Sequence, residues 1–410
     1  MFQGDVVQPG TFGRLTCSGI VTSHVELPPL TYLSFDSLSE GVGASQVLLY
    51  VEALARRGLQ VRLHTFEKVP PSETLESRLR AQGVNWFVHQ FGAFGPAGGL
   101  RRVAVGAAAV RGAELVHARS ALPAACALLG RPGSWIWDMR GFWSDERIEL
   151  GGMQRGATVE RVVRLIEHRA ALSAEVIITL AAAAIPVIAE RYGEAVARKA
   201  RVIPTCVDLE RFALSELLPP PVRLLISGTL NARYDVDGML RFAAQLARQL
   251  PVTLYVLCPD PSRFESRLRS AGAVVDKAEP SEMPTRVASA HVGLSLLKPA
   301  PTPASKASVP TKLGEFLACG RPIVVSKDLG DMEELLARYD CGVVVRDSTD
   351  DELERCAAEL ARLLQDPSTA KRCRALAEDN FSLDHGVSSL IQAYKSACSQ
   401  TGPGQQSVPT

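Results

Sequence analysis

From Leu30 onward, short runs of apolar residues alternate with segments of helical length, the pattern that parallel sheets with crossover helices produce. In the first half the runs are Leu30–Phe35, Val61–Phe66, Val84–His89, Leu115–Ala118, Trp135–Asp138, Val176–Thr179 and Arg201–Ile203. Most are short and apolar, as burial on both faces of a strand requires. Between them Ser45–Arg57 reads as a helix, with Val47, Tyr50, Val51 and Leu54 on one stripe and Gly58 closing it. The sequence Leu217-Leu-Pro-Pro-Pro221 then interrupts the pattern, since consecutive prolines continue neither a helix nor a central strand. The alternation restarts with Val222–Ser227, Val252–Leu257, Val274–Asp276, Val292–Leu296, Ile323–Ser326 and Gly342–Val345.

This pattern predicts an α/β protein with two Rossmann-like domains facing across a cleft, and a length of 410 residues is more than one core usually supports. The expected parts are a leader over 1–28, an N-terminal domain over 29–216, a linker at 217–221 and a C-terminal domain over 222–380. A helix over 381–398 is expected to pack back on the N-terminal domain, and 399–410 to form a disordered tail. Ligands in such sheets bind beyond the carboxyl ends of the strands, which places the site in the cleft.

Charge narrows the function. Forty-five basic residues against forty-four acidic ones remove the whole-molecule argument for a nucleic-acid partner. Nine cysteines with no C-x-x-C pair, and seven histidines without ligand spacing, predict no metal site and a reducing, cytoplasmic setting. The longest apolar stretch, Leu172–Ala189, is interrupted by Ser173, Glu175, Thr179 and Pro186 and does not read as a membrane span. Residues 1–28 lack the basic and apolar regions of a secretory signal. Arg155, Arg161, Arg164 and Arg169 read first as a solvated helix face and second as a contact with an anionic membrane, which would put the protein at the inner face of that membrane.

The most informative segment runs from Ser308 to Ser326. Pro310 suits a helix start, where free amides and the helix dipole favour an anion, and Lys312 adds a full positive charge. Glu315, one turn on, lies on the side of Thr311 and Lys312, where its carboxylate can accept hydrogen bonds from a vicinal diol such as a ribose. Gly320-Arg-Pro322 ends the helix before a buried strand.

Here the chain resembles retaining glycosyltransferases of the GT-B fold, in particular family 4, whose donor loop has the form P-x-K-x-x-E-x-x-A-x-G-x-P-V/I. That pattern reads Pro310, Lys312, Glu315, Ala318, Gly320, Pro322 and Ile323. Many members carry a further glutamate eight residues before the ribose-binding one, and this chain has Ala307 there. The resemblance extends over roughly residues 30–398. Ser39–Gln46 holds Gly41 and Gly43 where the family has a glycine-rich loop facing the donor. Ile203–Phe212 is similar to the P-N-G-V-D-x-x-x-F segment that closes the first domain. Ser227–Asp235 takes the place of the family's phosphate loop, with Gly228 in it, Thr229 and Tyr234 at the usual arginine and lysine positions, and Arg233 as the substitute cation. Many members place a D-x-H motif in the loop after Trp135–Asp138, and here it is Asp138-Met-Arg140. Arginine is not a base at neutral pH, so Arg140 is expected to stabilise charge or grip an anion, or to form a structural ion pair with Asp138.

The resemblance implies a retaining hexosyltransferase that needs no metal ion or cofactor and takes a nucleoside diphosphate sugar as co-substrate. Its acceptor would be a hydroxyl of a glycan, a lipid-linked intermediate or a small molecule, in glycan or polysaccharide biosynthesis. Asp138 and Arg140 are the catalytic candidates; Gly41, Gly43, Gly228, Arg233, Ser308, Thr311, Lys312 and Glu315 are the donor-binding ones. Two other readings stay open: a nucleotide-sugar 2-epimerase of the same fold, and a degenerate nucleotide-sugar-binding subunit, which Ala307 and Thr229 motivate. Asp145 and Glu146 read as a solvated acidic turn, Arg119 and Arg233 as ordinary surface charges before any role, and His117 and His291 as satisfied structural histidines.

Overall fold

A computed structural model describes residues 27–39, 41–298 and 302–400. Among the described residues thirteen strands form two wholly parallel sheets. The first holds β1 (Leu30–Leu33), β2 (Val61–Glu67), β3 (Asn85–Gln90), β4 (Leu115–Arg119), β5 (Ser134–Asp138), β6 (Val176–Thr179) and β7 (Ala200–Val202), in the order β3-β2-β1-β4-β5-β6-β7. The second holds β8 (Val222–Ser227), β9 (Val252–Leu257), β10 (Val274–Asp276), β11 (Val292–Ser295), β12 (Ile323–Ser326) and β13 (Gly342–Val345), in the order β10-β9-β8-β11-β12-β13. Strand order reverses between β1 and β4 in one sheet and between β8 and β11 in the other, so a ligand crevice opens beyond each of those pairs.

The central strands β1 and β4 are buried along their whole length, which is why they show no apolar–polar alternation; their polar residues Thr31, His117 and Arg119 are buried too. One face of the first sheet packs against a glycine-led helix, a π-turn over Gly43–Leu48 that runs into Leu49–Arg56, and against the last helix, Leu383–Gln400. Its other face is covered by helices Gly95–Val110, Ala121–Gly130, Thr158–Ser173 and Ile185–Tyr192. The cores do not stop at the sheet boundaries. Ala307 joins the core of the first sheet, and Leu180, Ala181 and Val207 join that of the second.

Arg321, inside the Gly320–Pro322 turn, is fully buried and donates to Ser215 O, Ser215 Oγ, Glu216 O and Ala288 O at 2.6–3.0 Å. It thereby pins the chain just ahead of the proline run. The expected leader falls outside the described residues except for Leu27 and Pro28. Of the expected tail, Ser399 and Gln400 belong instead to the last helix, because Ala397, buried, and Cys398, packed on the core, carry it to Gln400; residues 401–410 lie outside the described residues.

Candidate active site at the interdomain cleft

The helix Thr311–Ala318 carries the sequence-predicted donor residues. Pro310 sits at its N-cap with φ −61° and ψ 132°, the fixed geometry proline brings to a helix entry. Leu313, Phe316 and Leu317 recur at three- and four-residue spacing and are buried, which turns Thr311, Lys312 and Glu315 toward the cleft side. Gly314 lets this helix sit close to its support, since a Cβ there would lie 2.8 Å from Val207.

Lys312 Nζ donates to Ser227 O at 3.0 Å and to the Tyr234 hydroxyl at 3.1 Å, and lies 4.4 Å from the Tyr234 ring centroid. The ammonium is therefore held at the end of β8, beside Gly228, which has φ +90° and nothing within 4 Å of its Cβ position. The Glu315 carboxylate has no hydrogen-bond partner among the described residues. Burial pushes it up to about 7, against the opposing pull of Arg211 and Lys312. A carboxylate left without donors in a partly buried place is a ready acceptor for a diol. Ser308, two residues before Pro310, contributes a backbone amide bonded to Ser305 O at 3.0 Å.

Across the cleft, the ends of β4 and β5 build a buried polar cluster. Asp138 lies 3.2 Å from His117 Nε2, 3.6 Å from Arg119 Nη1 and 3.8 Å from Arg140 Nη1. Burial alone would raise this carboxyl, but Arg140, His117 and Arg119 outweigh it and hold Asp138 at about 2. His117 Nδ1 meets the Tyr394 hydroxyl at 2.9 Å, so both ring nitrogens are satisfied, and burial lowers its pKa. His291 is likewise satisfied, by Arg223 N and Leu218 O. Arg140 has φ +55° and Gly141 φ +139°, two successive positive values that fold the chain back after β5 and return the guanidinium over the strand ends.

Gln46 ties the two sides together. Its Oε1 accepts from Arg119 Nη2 at 2.7 Å and Arg140 Nη2 at 2.8 Å, and its Nε2 donates to Thr311 Oγ1 at 3.0 Å. Arg119 also donates to Asp36 at 2.9 Å. Within this cluster Arg119 Nη1, Arg140 Nε and Asp138 Oδ1 are buried with no hydrogen-bond partner among the described residues. Gln46 lies inside the glycine-rich segment, but its role depends on partners 73, 94 and 265 residues away, which no local pattern announces.

Several expectations change. Arg119 is not a surface charge but 3% exposed, because it ends a central strand at the reversal of strand order. Asp145 is buried and paired to Arg191 at 2.6 Å and Arg164 at 3.4 Å, since the helix Trp143–Glu149 starts at once and directs it inward; it does not lie in a solvated turn. Arg233 spans the cleft to Glu149 at 3.0 Å and Glu146 at 3.4 Å, so its charge is already countered. Gly43 faces backbone: a Cβ there would sit 1.9 Å from Ser37 O, which makes it a packing glycine. Gly41 has nothing within 4 Å of its Cβ position. Ala307 is fully buried, and a Cβ on Gly141 would lie 3.8 Å from its methyl, so the place of the family's further glutamate is filled by apolar packing between the halves. Among the described residues no group of three His, Cys, Asp or Glu is placed to hold a metal ion, and no helix is long and apolar enough to cross a membrane.

Residues 239–395 match the family described as glycosyl transferase-like. No curated protein sequence matches the chain. Its fold is similar to that of Anabaena HepE, solved in complex with UDP-glucose, with a TM-score of 0.66 over 90% of this chain and 100% of HepE at 15% identity. It is also similar to sucrose-phosphate synthase from Thermosynechococcus elongatus, with a TM-score of 0.67 over 90% and 98% at 16% identity. A putative UDP-N-acetylglucosamine 2-epimerase from Listeria monocytogenes gives 0.59 over 93% and 100% at 9% identity. The chain thus has the GT-B architecture of glycosyltransferase structures, with a glycosyl transferase-like domain in its second half.

Proposed function

We propose that this GT-B chain is a retaining glycosyltransferase that moves a hexose from a nucleoside diphosphate sugar to a hydroxyl acceptor. The observation that carries the reading is the start of the helix Thr311–Ala318, which sets an unpaired, partly buried Glu315 carboxylate beside the Lys312 ammonium at the cleft. Glu315 would take the ribose hydroxyls, and Lys312 with the first-turn amides the diphosphate. HepE was solved with UDP-glucose, which supports a donor of this class.

In the proposed step the bond from the anomeric carbon to the diphosphate oxygen breaks and its electron pair stays with the diphosphate. The acceptor oxygen bonds the same carbon from the same face, and its proton passes to the departing phosphate oxygen. Lys312 and the helix amides lower the energy of the charge that develops on the leaving group. Arg140 and Arg119, with buried N–H groups unused, stabilise negative charge on the opposite wall. Arg233 contributes to the phosphates only by leaving Glu146 and Glu149. The scheme needs no metal, so turnover in the presence of a chelator remains unchanged.

Incubation with labelled UDP-, GDP-, ADP- and CMP-sugars, with and without acceptor mixtures, tests the assignment. Labelled sugar in an acceptor product with retained configuration supports it. Release of an isomerised sugar without acceptor would make the chain an epimerase, which the likeness to the Listeria structure keeps in view. Binding without any turnover would make it a donor-binding subunit.

A further inference from the structure

The helix Thr158–Ser173 turns only one of its faces inward: Glu160, Val163, Glu167, Ala170 and Ala171 are buried. Both acidic side chains of the helix are on that inner face. Glu160 accepts from Gly156 N and Arg164, and Glu167 accepts from Ser144 N and Oγ at 3.1 and 2.8 Å. The opposite stripe runs Thr158, Val162, Leu165, Arg169, Leu172 at four- and three-residue spacing, with Val159 and Arg161 at its margins. Its aliphatic members Val159, Val162, Leu165 and Leu172 are each 49–55% exposed. Arg161 and Arg169 are exposed with no ion pair among the described residues, as is Arg155 just before the helix. The outward face thus combines aliphatic side chains with cations and carries no acid. The neighbouring helix Ala121–Gly130 packs against this one and, toward the strand amino ends where Leu172 lies, adds exposed Leu129 and, next to it, Arg131.

We propose that this face docks the protein on an anionic lipid bilayer. Charge complementarity selects the occupant: unpaired arginines with no carboxylate among them match a surface of negative headgroups, while the interleaved aliphatic side chains enter the headgroup boundary. The docked helix is joined rigidly to the cleft. Ser144 on the helix Trp143–Glu149 is held by Glu167, and Glu146 and Glu149 of that same helix reach Arg233 on the far wall. Docking therefore tethers the N-terminal domain, and with it this wall of the cleft, to the bilayer surface in which a lipid-anchored acceptor would sit. The docking itself rests on this helix and not on the donor reading; only the acceptor class rests on both.

Flotation of the full chain with vesicles of phosphatidylcholine, or of phosphatidylcholine with phosphatidylglycerol, tests the proposal. Wild type is expected to float with the anionic vesicles and not the neutral ones. At about fivefold in partition per arginine, Arg161→Glu/Arg169→Glu lowers binding by at least about 25-fold. Leu165→Ser lowers it about tenfold. Unchanged thermal midpoint and donor-induced thermal shift in these variants show that fold and donor site are intact, which separates failure here from failure of the donor assignment. The proposal is overturned if wild type does not bind anionic vesicles, if it binds neutral ones equally, or if the variants bind as wild type does. It is also overturned if wild type self-associates in sedimentation and Leu165→Ser abolishes that without any vesicle binding, since the face is then a subunit contact.

Discussion

Donor affinity is expected to rise steeply with pH through neutrality, and Glu315 is the reason. Burial raises its folded-state value to about 7, so the free protein keeps the proton over most of the range in which an exposed glutamate would have lost it. Its raised value means the charged form is disfavoured in the folded state, so stability of the free protein falls as pH rises from the ordinary glutamate range toward 7. A ribose diol donates hydrogen bonds to the carboxylate and favours its charged form, so donor binding releases the proton. The apparent Kd then scales as one plus the ratio of protonated to ionised carboxyl. That factor is about 11 at pH 6 and about 1.1 at pH 8, so affinity increases about tenfold between them, or about 1.4 kcal/mol. Each phosphorus of a nucleoside diphosphate sugar carries one ester and one anhydride bond, which leaves only a strongly acidic hydroxyl that stays ionised throughout, so the ligand contributes no slope. Calorimetric titration at several pH values in buffers of different ionisation enthalpy reads both the affinity and the proton released. In Glu315→Gln the slope disappears and overall affinity falls. A flat profile in wild type, or the same slope in Glu315→Gln, refutes the reasoning.

Three further outcomes follow from the geometry. Gly43→Ala places a methyl 1.9 Å from a backbone oxygen and costs about 2–4 kcal/mol in chemical denaturation, whereas Gly41→Ala, with nothing in reach, costs little. Tyr394→Phe strips His117 Nδ1 of its partner in a fully buried place and destabilises by about 1–3 kcal/mol by the same measurement. Gln46→Ala releases Arg119, Arg140 and Thr311 together; turnover falls about 10- to 100-fold in steady-state assays while donor Kd changes by less than about threefold.

The architecture was legible because central strands buried on both faces are mostly apolar and do not alternate, so β1, β4, β8 and β11 stood out as short runs between helical segments. The Pro310–Ile323 segment was legible for a different reason: helix entry, cation and carboxylate follow one another along the first turns of a single helix, so sequence spacing sets spatial spacing. The opposite wall had no such equivalence. Arg119, Arg140 and Gln46 meet only once β4 and β5 are neighbours and the glycine-led helix lies over them. Strand order is a property of the folded sheet, and alternation alone does not encode it. The pairing of Asp145 and Arg233 escapes the sequence on the same ground, since their countercharges come from segments 46 and 84–87 positions away.

The central claim is that one helix start grips a nucleoside diphosphate sugar through Lys312 and Glu315. Calorimetric titration of Lys312→Ala/Glu315→Ala, beside wild type, with whichever activated sugar most raises the wild-type melting temperature tests it directly. Loss of both contacts should weaken binding by at least about 100-fold while the double variant stays folded. Equal affinity in the folded double variant, or a wild type that binds none of the activated sugars, contradicts the account.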